Sequence, residues 1–240
     1  MHPAINETIK QFYAADGGLE CGIPGEIADS EDMSHPLNRF HGATANKKTH
    51  VIWLDVNTPE IKNGTSRVNF GEVEAVDWLL SYFKKSPGFK NFIDYWPAEE
   101  VEQKQIGIIT FYGAQASLLT KLKDKYPDVP LRISPVDRFQ GMERNIVIVS
   151  LVRSNSIAGF PSQAPNMEAY PGTGYPSQES LGFAEFPNRL NVALSRAKRL
   201  LIIVGNSQHF RRHEIYNNVY ETIQHHPNGA VKTFEPKSLK

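Results

Sequence analysis

Cysteine is almost absent from this sequence, which contains one, Cys21, in 240 residues. A single cysteine excludes an internal disulfide and a cysteine-cluster metal site, and such sparse use is typical of a reducing compartment. Long apolar runs are absent too, since none approaches the roughly 20 residues that a membrane-spanning helix needs. Residues 1–4 carry neither the basic nor the apolar part of a signal peptide. We therefore expect a soluble, cytoplasmic protein with no membrane partner and no metal site.

Neither sign of charge is in excess, because 26 Lys and Arg residues balance 26 Asp and Glu residues. A protein that binds nucleic acid over its whole surface usually has a clear excess of positive charge. Binding to nucleic acid would then have to come from a local patch. One basic patch runs from Arg189 to Arg212, where no acidic residue occurs. The patch suits phosphate, but cations at a helix C-terminus that complement the helix dipole would account for it equally well.

A phosphate-binding loop of the G-x-x-x-x-G-K-[ST] type is missing, and no apolar strand ends in the Asp-Glu pair that holds Mg²⁺. P-loop enzymes need that loop and that metal to cradle and neutralise the β- and γ-phosphates. On its own, the chain is therefore expected to be inactive in nucleotide hydrolysis.

Apolar runs without alternation indicate strands that are buried on both faces. The sequence has four such runs, at residues 51–56, 106–111, 146–152 and 200–205, and a shorter one at 131–134. Helical patterns lie between them. This alternation predicts an α/β fold with a parallel sheet and helices on both faces. Ligands of such sheets generally bind at the carboxyl ends of the strands.

The boundaries of several elements can be predicted as well. Asn69 and Glu72 match a capping box at the start of a helix, and Asn188 is a suitable cap for the helix that reaches Arg196. We expect residues 1–50 to form an initial helix and a mobile connection. Residues 51–240 would form one domain, with an insertion rich in Pro, Gly, Ser and Tyr at about 156–186 and a polar tail.

Two motifs carry chemistry. The first is Val-Asp-Arg-Phe-Gln-Gly-Met-Glu-Arg at residues 136–144, in which Gly141 favours a tight turn or a close approach of backbone amides to phosphate. The second is Leu-Asn-Val-Ala-Leu-Ser-Arg-Ala-Lys at residues 190–198, where a helical turn carrying Arg196 and Lys198 runs into an apolar strand and Gly-Asn. Both motifs lie beside strand ends.

Together these motifs resemble the superfamily 1B helicases, the group that contains the nonsense-mediated-decay helicase. Met-His-Pro at the start of the chain and Ile-Thr-Phe-Tyr-Gly-Ala-Gln at residues 109–115 extend the resemblance. It implies that the chain is the second RecA-like, P-loop NTPase-like domain of such a helicase. In the family a Gln-Tyr-Arg precedes the Met-His-Pro, and its absence here suggests a fragment.

The resemblance also implies a nucleotide site. Arg196 matches the family's arginine finger on the ATP γ-phosphate, a role that suits a planar, permanently charged fork. Lys198 stands where the family usually has a second Arg. Glu143 would accept hydrogen bonds from the ribose hydroxyls, with Gln140 and Gly141 beside it.

Contacts to single-stranded nucleic acid are implied at six residues: Thr110, Tyr112, Gln115, Ser134, Asp137 and Arg153. Pro135 stands where the family commonly has a hydroxyl residue that touches the nucleic-acid backbone, and Phe111 replaces a family Pro. A purely structural role would suit two of the six, Tyr112 and Asp137. A Tyr at a strand end often covers the core. Asp137 would equally satisfy backbone N–H groups of its own loop.

By this resemblance the cofactors are ATP with Mg²⁺, bound jointly with a first RecA-like domain that this sequence lacks. The partners are that domain and single-stranded DNA or RNA, with movement in the 5′→3′ direction. Two alternatives stay open. One is a non-catalytic module that binds nucleic acid or a partner protein, and the other is a nuclease built on Asp55, Asp137 and Glu143.

Overall fold

The computed structural model describes residues 1–28, 33, 35, 36, 49–154 and 181–237. The strands of this part of the chain are β1 (Val51–Val56), β2 (Ile61–Asn63), β3 (Ser66–Val68), β4 (Ile106–Thr110), β5 (Leu131–Pro135), β6 (Arg144–Ser150), β7 (Ala197–Gly205) and β8 (Gly229–Phe234). Its α-helices are α1 (Pro3–Ile9), α2 (Gly25–Ala28), α3 (Phe70–Lys85), α4 (Phe89–Asp94), α5 (Val101–Lys104), α6 (Gly113–Thr120), α7 (Leu122–Lys125), α8 (Pro187–Ser195), α9 (Ser207–Phe210) and α10 (Glu214–His225).

Six strands form one parallel sheet in the order β5-β4-β6-β7-β1-β8. The central strand β6 is buried along its whole length, and its Ile-Val-Ile-Val run is rich in the β-branched residues that suit a sheet covered on both faces. The predicted α/β fold with a parallel, RecA-like sheet is confirmed. β2 and β3 form a separate antiparallel hairpin after β1.

Helices cover both faces of the sheet, as predicted. On one face α1, α8 and α10 pack on a core that includes Ile5, Leu190 and Val219. On the other face α3 and α6 contribute Leu79 and Leu119 to a second core. The initial helix α1 is therefore part of the packed domain, because its apolar side chains are buried against the sheet.

Four features of the fold differ from the sequence predictions. Helix α8 ends at Ser195, so Lys198 lies in strand β7 and not on the helix. Asn188 does not cap α8, because Pro187 already occupies the first turn and Phe186 takes the cap position without a side-chain hydrogen bond. The hairpin β2–β3 was not predicted. The segment predicted as a polar tail contains strand β8, which pairs with β1 at the edge of the sheet.

Parts of two predicted segments lie outside the described residues. Of the connection before residue 51, residues 29–32, 34 and 37–48 are not described, and of the insertion, residues 155–180 are not described. The last part of the predicted insertion forms a 3₁₀ turn, Gly182–Glu185. No helix of the described part of the chain is long and apolar enough to cross a membrane.

Candidate functional site

The two chemical motifs meet at the amino ends of the central strands. Glu143 immediately precedes β6 and Arg196 immediately precedes β7, and the N–H of Arg144 donates to the carbonyl oxygen of Arg196 at 2.9 Å. Both motifs therefore lie at the amino ends of these strands and not at the carboxyl ends, where ligands of such sheets generally bind. The reason is topological: residues 136–143 return from the carboxyl end of β5 to the amino end of β6, and α8 runs back from the carboxyl ends of the strands to the start of β7. We call this side of the sheet the amino edge.

The guanidinium of Arg196 is turned back along its own helix. Its Nε donates to the carbonyl oxygen of Val192 at 3.1 Å, and its Nη2 donates to Ser195 Oγ at 2.8 Å. No ion pair of Arg196 occurs among the described residues, and the side chain is partly exposed. A partly exposed Arg without an ionic partner can meet an anion from outside the domain.

Lys198 and Glu143 face each other at this edge. The Lys198 Nζ lies 3.3 Å from Glu143 Oε2, and the two side chains are 34% and 51% exposed. Such a solvated ion pair contributes little to stability, so either group can turn to a ligand at small cost. Gln140 and Gly141 are exposed next to them. Gly141 has φ +78°. This left-handed conformation is the one that favours glycine in a tight turn.

Sequence reasoning missed the packing that supports this loop. Phe139 is fully buried, and the Arg144 guanidinium lies 5.6 Å from its ring centroid. The ring lies against Gly107 in β4, where an added Cβ would come within 2.9 Å of Phe139 Cζ. A glycine inside an apolar strand often marks such a close approach, and this is the signal that would have found it.

A methyl group at position 107 should therefore displace Phe139 and the loop that carries Gln140 to Glu143. We expect Gly107→Ala to lower the free energy of unfolding by about 1–3 kcal/mol, the usual range for overpacking. Urea denaturation would measure this loss. Gly113→Ala is the matched control, because a Cβ there meets nothing within 4 Å. Equal stability of the two variants would contradict the packing argument.

The opposite side of the sheet, which we call the carboxyl edge, holds most of the predicted nucleic-acid contacts. Thr110, Tyr112, Ser134, Gln115 and Arg153 are all buried there. Asp137 is exposed, and its Oδ2 lies 3.2 Å from Arg189 Nη2. Nucleotide and nucleic-acid candidates thus lie at opposite sides of the same sheet.

Gln115 and Arg153 have partners inside the domain. Gln115 Nε2 donates to Ser150 Oγ at 3.0 Å, and its Oε1 accepts from the Asn69 N–H at 2.9 Å. Arg153 Nε donates to Glu60 Oε2 at 2.8 Å. In this arrangement the two side chains cannot reach an external strand, because they are buried and their polar groups are engaged.

Thr110 and Ser134 are different. Their hydroxyl oxygens are buried near the ends of adjacent strands, and neither has a hydrogen-bond partner in the described part of the chain. Buried hydroxyls usually find a partner, so an exception points to a ligand or a water. Among the buried candidates, these two hydroxyls are the ones whose hydrogen-bonding capacity is not used within the described part of the chain.

The predicted capping box is only half correct. Asn69 caps α3, since its Oδ1 accepts from the Glu72 N–H at 3.1 Å. The Glu72 side chain does not return to the Asn69 N–H, which is already bonded to Gln115. It crosses instead to the end of β6, where it accepts from Ser150 Oγ at 2.6 Å and from the Val152 N–H at 2.8 and 2.9 Å. Glu72 therefore belongs to the carboxyl edge.

Comparison with known proteins adds the family. A family model described as an AAA domain (AAA_12) matches residues 1–208. The chain is similar to Regulator of nonsense transcripts 1 of Caenorhabditis elegans, with 29% identity over 252 residues, 100% of this chain and 20% of that protein. ATP-dependent helicase NAM7 of Saccharomyces cerevisiae is 30% identical over 227 residues, 91% of this chain and 19% of that protein. DNA polymerase alpha-associated DNA helicase A of the same yeast is 31% identical over 173 residues, 69% and 20% of the two chains.

The chain spans about a fifth of the length of each of these relatives. The match to the family model nevertheless covers both motifs and the whole sheet except β8. The resemblance to superfamily 1 helicases is confirmed, and the chain belongs to the AAA_12 family of AAA domains, whose relatives here are helicases of the nonsense-mediated-decay type.

Proposed function

We propose that this chain is the second RecA-like half of an ATP-dependent helicase motor. The observation that carries the proposal is the pairing of the two motifs at the amino edge, where the N–H of Arg144, the residue after Glu143, donates to the carbonyl oxygen of Arg196. This edge has a cation and a carboxylate for a nucleotide, while the sequence has no phosphate loop of its own. A cation and a carboxylate without a phosphate loop are what one half of an ATP site shared between two domains would contain.

In the proposed site, Arg196 leaves its helix to meet the γ-phosphate when the two halves close. Its planar fork binds two phosphate oxygens at once and stabilises the charge that spreads over them during transfer. Glu143 accepts the ribose hydroxyls, and release of Lys198 from Glu143 supplies a second cation. Gln140 and Gly141 line the same opening. Mg²⁺, held by the first RecA-like domain, would neutralise the phosphates.

Single-stranded nucleic acid would cross the carboxyl edge. The proposal assigns it to Asp137, to the unsatisfied hydroxyls of Thr110 and Ser134, and to the surface around Tyr112. Strand β6 then links the two sites, because Glu143 precedes its first residue and its last residue, Ser150, pairs with Thr110. Domain closure on ATP would shift one half against the other along the strand, a common hinge-type motion of such enzymes.

The nucleic acid is proposed as a class, single-stranded DNA or RNA. The name of one relative refers to nonsense transcripts and that of another to DNA. Contacts to the sugar 2′-hydroxyl are what separate RNA from DNA at a given site.

ATP hydrolysis tests the proposal directly. A protein that joins this chain to a first RecA-like domain should hydrolyse ATP, and single-stranded oligonucleotide should raise the rate. The 240-residue chain alone should show no turnover. Binding of oligonucleotide with no hydrolysis in the joined protein would favour the non-catalytic module. Turnover by the chain alone would contradict the half-site.

A further inference from the structure

Val152 has an unusual backbone conformation. Its φ is +74°, and no other non-glycine residue in the described part of the chain has a positive φ. The N–H of Arg153 donates to the carbonyl oxygen of Leu151 at 2.9 Å, so Val152 is the central residue of a γ-turn. This hand of γ-turn is rare and strained, and a β-branched residue fits it poorly. Strained backbone of this kind persists only where the surroundings enforce it.

Helix α3 enforces the turn from outside the strand. Both carboxylate oxygens of Glu72 accept from the Val152 N–H, and Asn69 Nδ2 donates to the Val152 carbonyl oxygen at 3.3 Å. Glu72 is fully buried. Burial raises the pKa of its carboxyl to about 8, although the hydrogen bonds from Ser150 and Val152 act in the opposite direction. A buried carboxyl is costly, and here it binds the strained turn at Val152.

The turn directs the next residues inward. Arg153 Nη1 donates to the Tyr112 hydroxyl at 3.3 Å, and that hydroxyl donates to the Leu181 carbonyl oxygen at 3.1 Å. Gly182 follows so closely that an added Cβ would lie 2.5 Å from Arg153 Nη1 and 2.6 Å from the Tyr112 hydroxyl. The chain is therefore held on both sides of residues 155–180 by contacts that begin at Val152.

These contacts end at a surface of aromatic rings and a cation. The Tyr112 ring packs edge-on against Phe183, with 5.7 Å between centroids. The Arg189 guanidinium lies 5.2 Å from the centroid of Phe183 and 5.7 Å from that of Phe186, which is 39% exposed. We call Phe183, Phe186 and Arg189 the aromatic platform. It lies at the carboxyl edge, where α8 begins.

Aromatic rings and guanidinium planes are the groups on which unpaired bases stack. We propose that the aromatic platform stacks the bases of single-stranded nucleic acid, and that Glu72 is a positioning residue that holds the platform in place through the Val152 turn. The inference rests on the proposed function and adds a contact to it. Arg189 is paired with the exposed Asp137, a solvated ion pair that offsets the charge of Arg189 only in part.

Binding of a fluorescent single-stranded oligonucleotide to the full chain tests both parts. We expect Phe186→Ala and Glu72→Ala to weaken binding roughly tenfold, which is within the range for loss of one stacked base. Glu72→Gln should retain most of the affinity, because the amide oxygen still accepts from Val152 and the amide N–H donates to Ser150. On an abasic oligonucleotide, Phe186→Ala and Glu72→Ala should bind as the unaltered chain does.

Asp77→Ala is the matched control. Asp77 lies on the same helix as Glu72 and accepts from the Tyr126 hydroxyl at 2.7 Å, away from the carboxyl edge. Its loss should lower thermal stability without changing the affinity for the oligonucleotide. If Asp77→Ala and Glu72→Ala weaken binding equally, Glu72 is only structural and the inference is overturned.

The remaining outcomes separate this inference from the proposed function. Equal binding by the unaltered chain, Phe186→Ala and Glu72→Ala would overturn the platform and leave nucleic-acid binding intact. No binding by the unaltered chain at low salt would overturn the nucleic-acid part of the proposed function itself.

Discussion

Replacing Arg196 with alanine is expected to lower the ATP turnover of the complete motor by about 10³- to 10⁵-fold, the usual contribution of an arginine finger. The affinity for ATP should change far less, because the finger acts on charge that develops in the transition state. The fold should be preserved, since the Arg196 side chain hydrogen-bonds only to Val192 and Ser195 of its own helix among the described residues. Steady-state hydrolysis in the presence of oligonucleotide measures the effect.

Two companion variants sharpen this result. Arg196→Lys keeps the charge but loses the planar fork, so we expect it to remain strongly impaired. Arg211→Ala removes an equal charge from the surface, where Arg211 is paired with Glu221, and should leave turnover unchanged. If Arg196→Ala hydrolysed ATP at nearly the rate of the unaltered protein, Arg196 would not be a catalytic residue.

The sequence predicts the central strands of the sheet well, because strands covered on both faces must be apolar at every position. Strand β8 could not be predicted in this way, because it is a half-buried edge strand with Lys232 in its middle. The hairpin β2–β3 left a usable signal, Gly64, the first of the two residues at its turn, where φ is +60°. Glycine at this position favours tight hairpins. Only topology decides which edge of the sheet each motif occupies, so the amino-edge position of Glu143 and Arg196 required the structure.

Glu72 shows a second limit. The pattern Asn-x-x-Glu predicts a capping box from local spacing alone. The partners of the carboxylate, Ser150 and Val152, lie 78 and 80 residues away in the chain. No local pattern around Glu72 predicts these partners. The strained turn at Val152 has no sequence signature, because valine normally avoids a positive φ. Long-range polar contacts of this kind are where sequence reasoning ends.

The second large effect that we expect is a loss of folding stability at acidic pH. His2, His35 and His50 form a buried cluster in which the rings of His2 and His50 stack at 3.4 Å between centroids, and His35 packs edge-on against His50 at 5.0 Å. His2 accepts the Ala4 N–H through Nδ1 at 3.0 Å, and its Nε2 lies 3.2 Å from the Ala28 carbonyl oxygen. This pairing requires the neutral ring. The cluster connects α1 to the start of β1.

Burial and the neighbouring His50 lower the pKa of His2 and of His35 from 6.5 to about 3. Burial and the charge of Arg212 lower the pKa of His209 to about 3 as well. The unfolded chain therefore binds protons at these positions between pH 6.5 and 3 while the folded chain does not. Their stabilising contribution is complete above pH 6.5 and is lost as the pH falls, at up to about 1.4 kcal/mol per pH unit for each group.

Glu72 opposes this trend in part. Its raised pKa, about 8, means that the folded chain retains a proton that the unfolded chain releases above pH 4.5. Its contribution therefore decreases as the pH rises from 4.5 to 8. Burial also lowers the pKa of His226. Since four imidazoles act against one carboxyl, the net result is a protein that loses stability on acidification from pH 6.5 to 5.

Thermal unfolding between pH 7.5 and 5 should accordingly show a melting temperature that drops steeply below pH 6.5. His35→Leu should flatten the drop, because one titrating imidazole is gone. Glu72→Gln should make the drop steeper, since the opposing carboxyl is removed and the histidines remain. A melting temperature that is level from pH 7.5 to 5 in the unaltered chain would show that the buried imidazoles do not remain neutral, and that the contacts of His2 with Ala4 and Ala28 do not control the docking of α1.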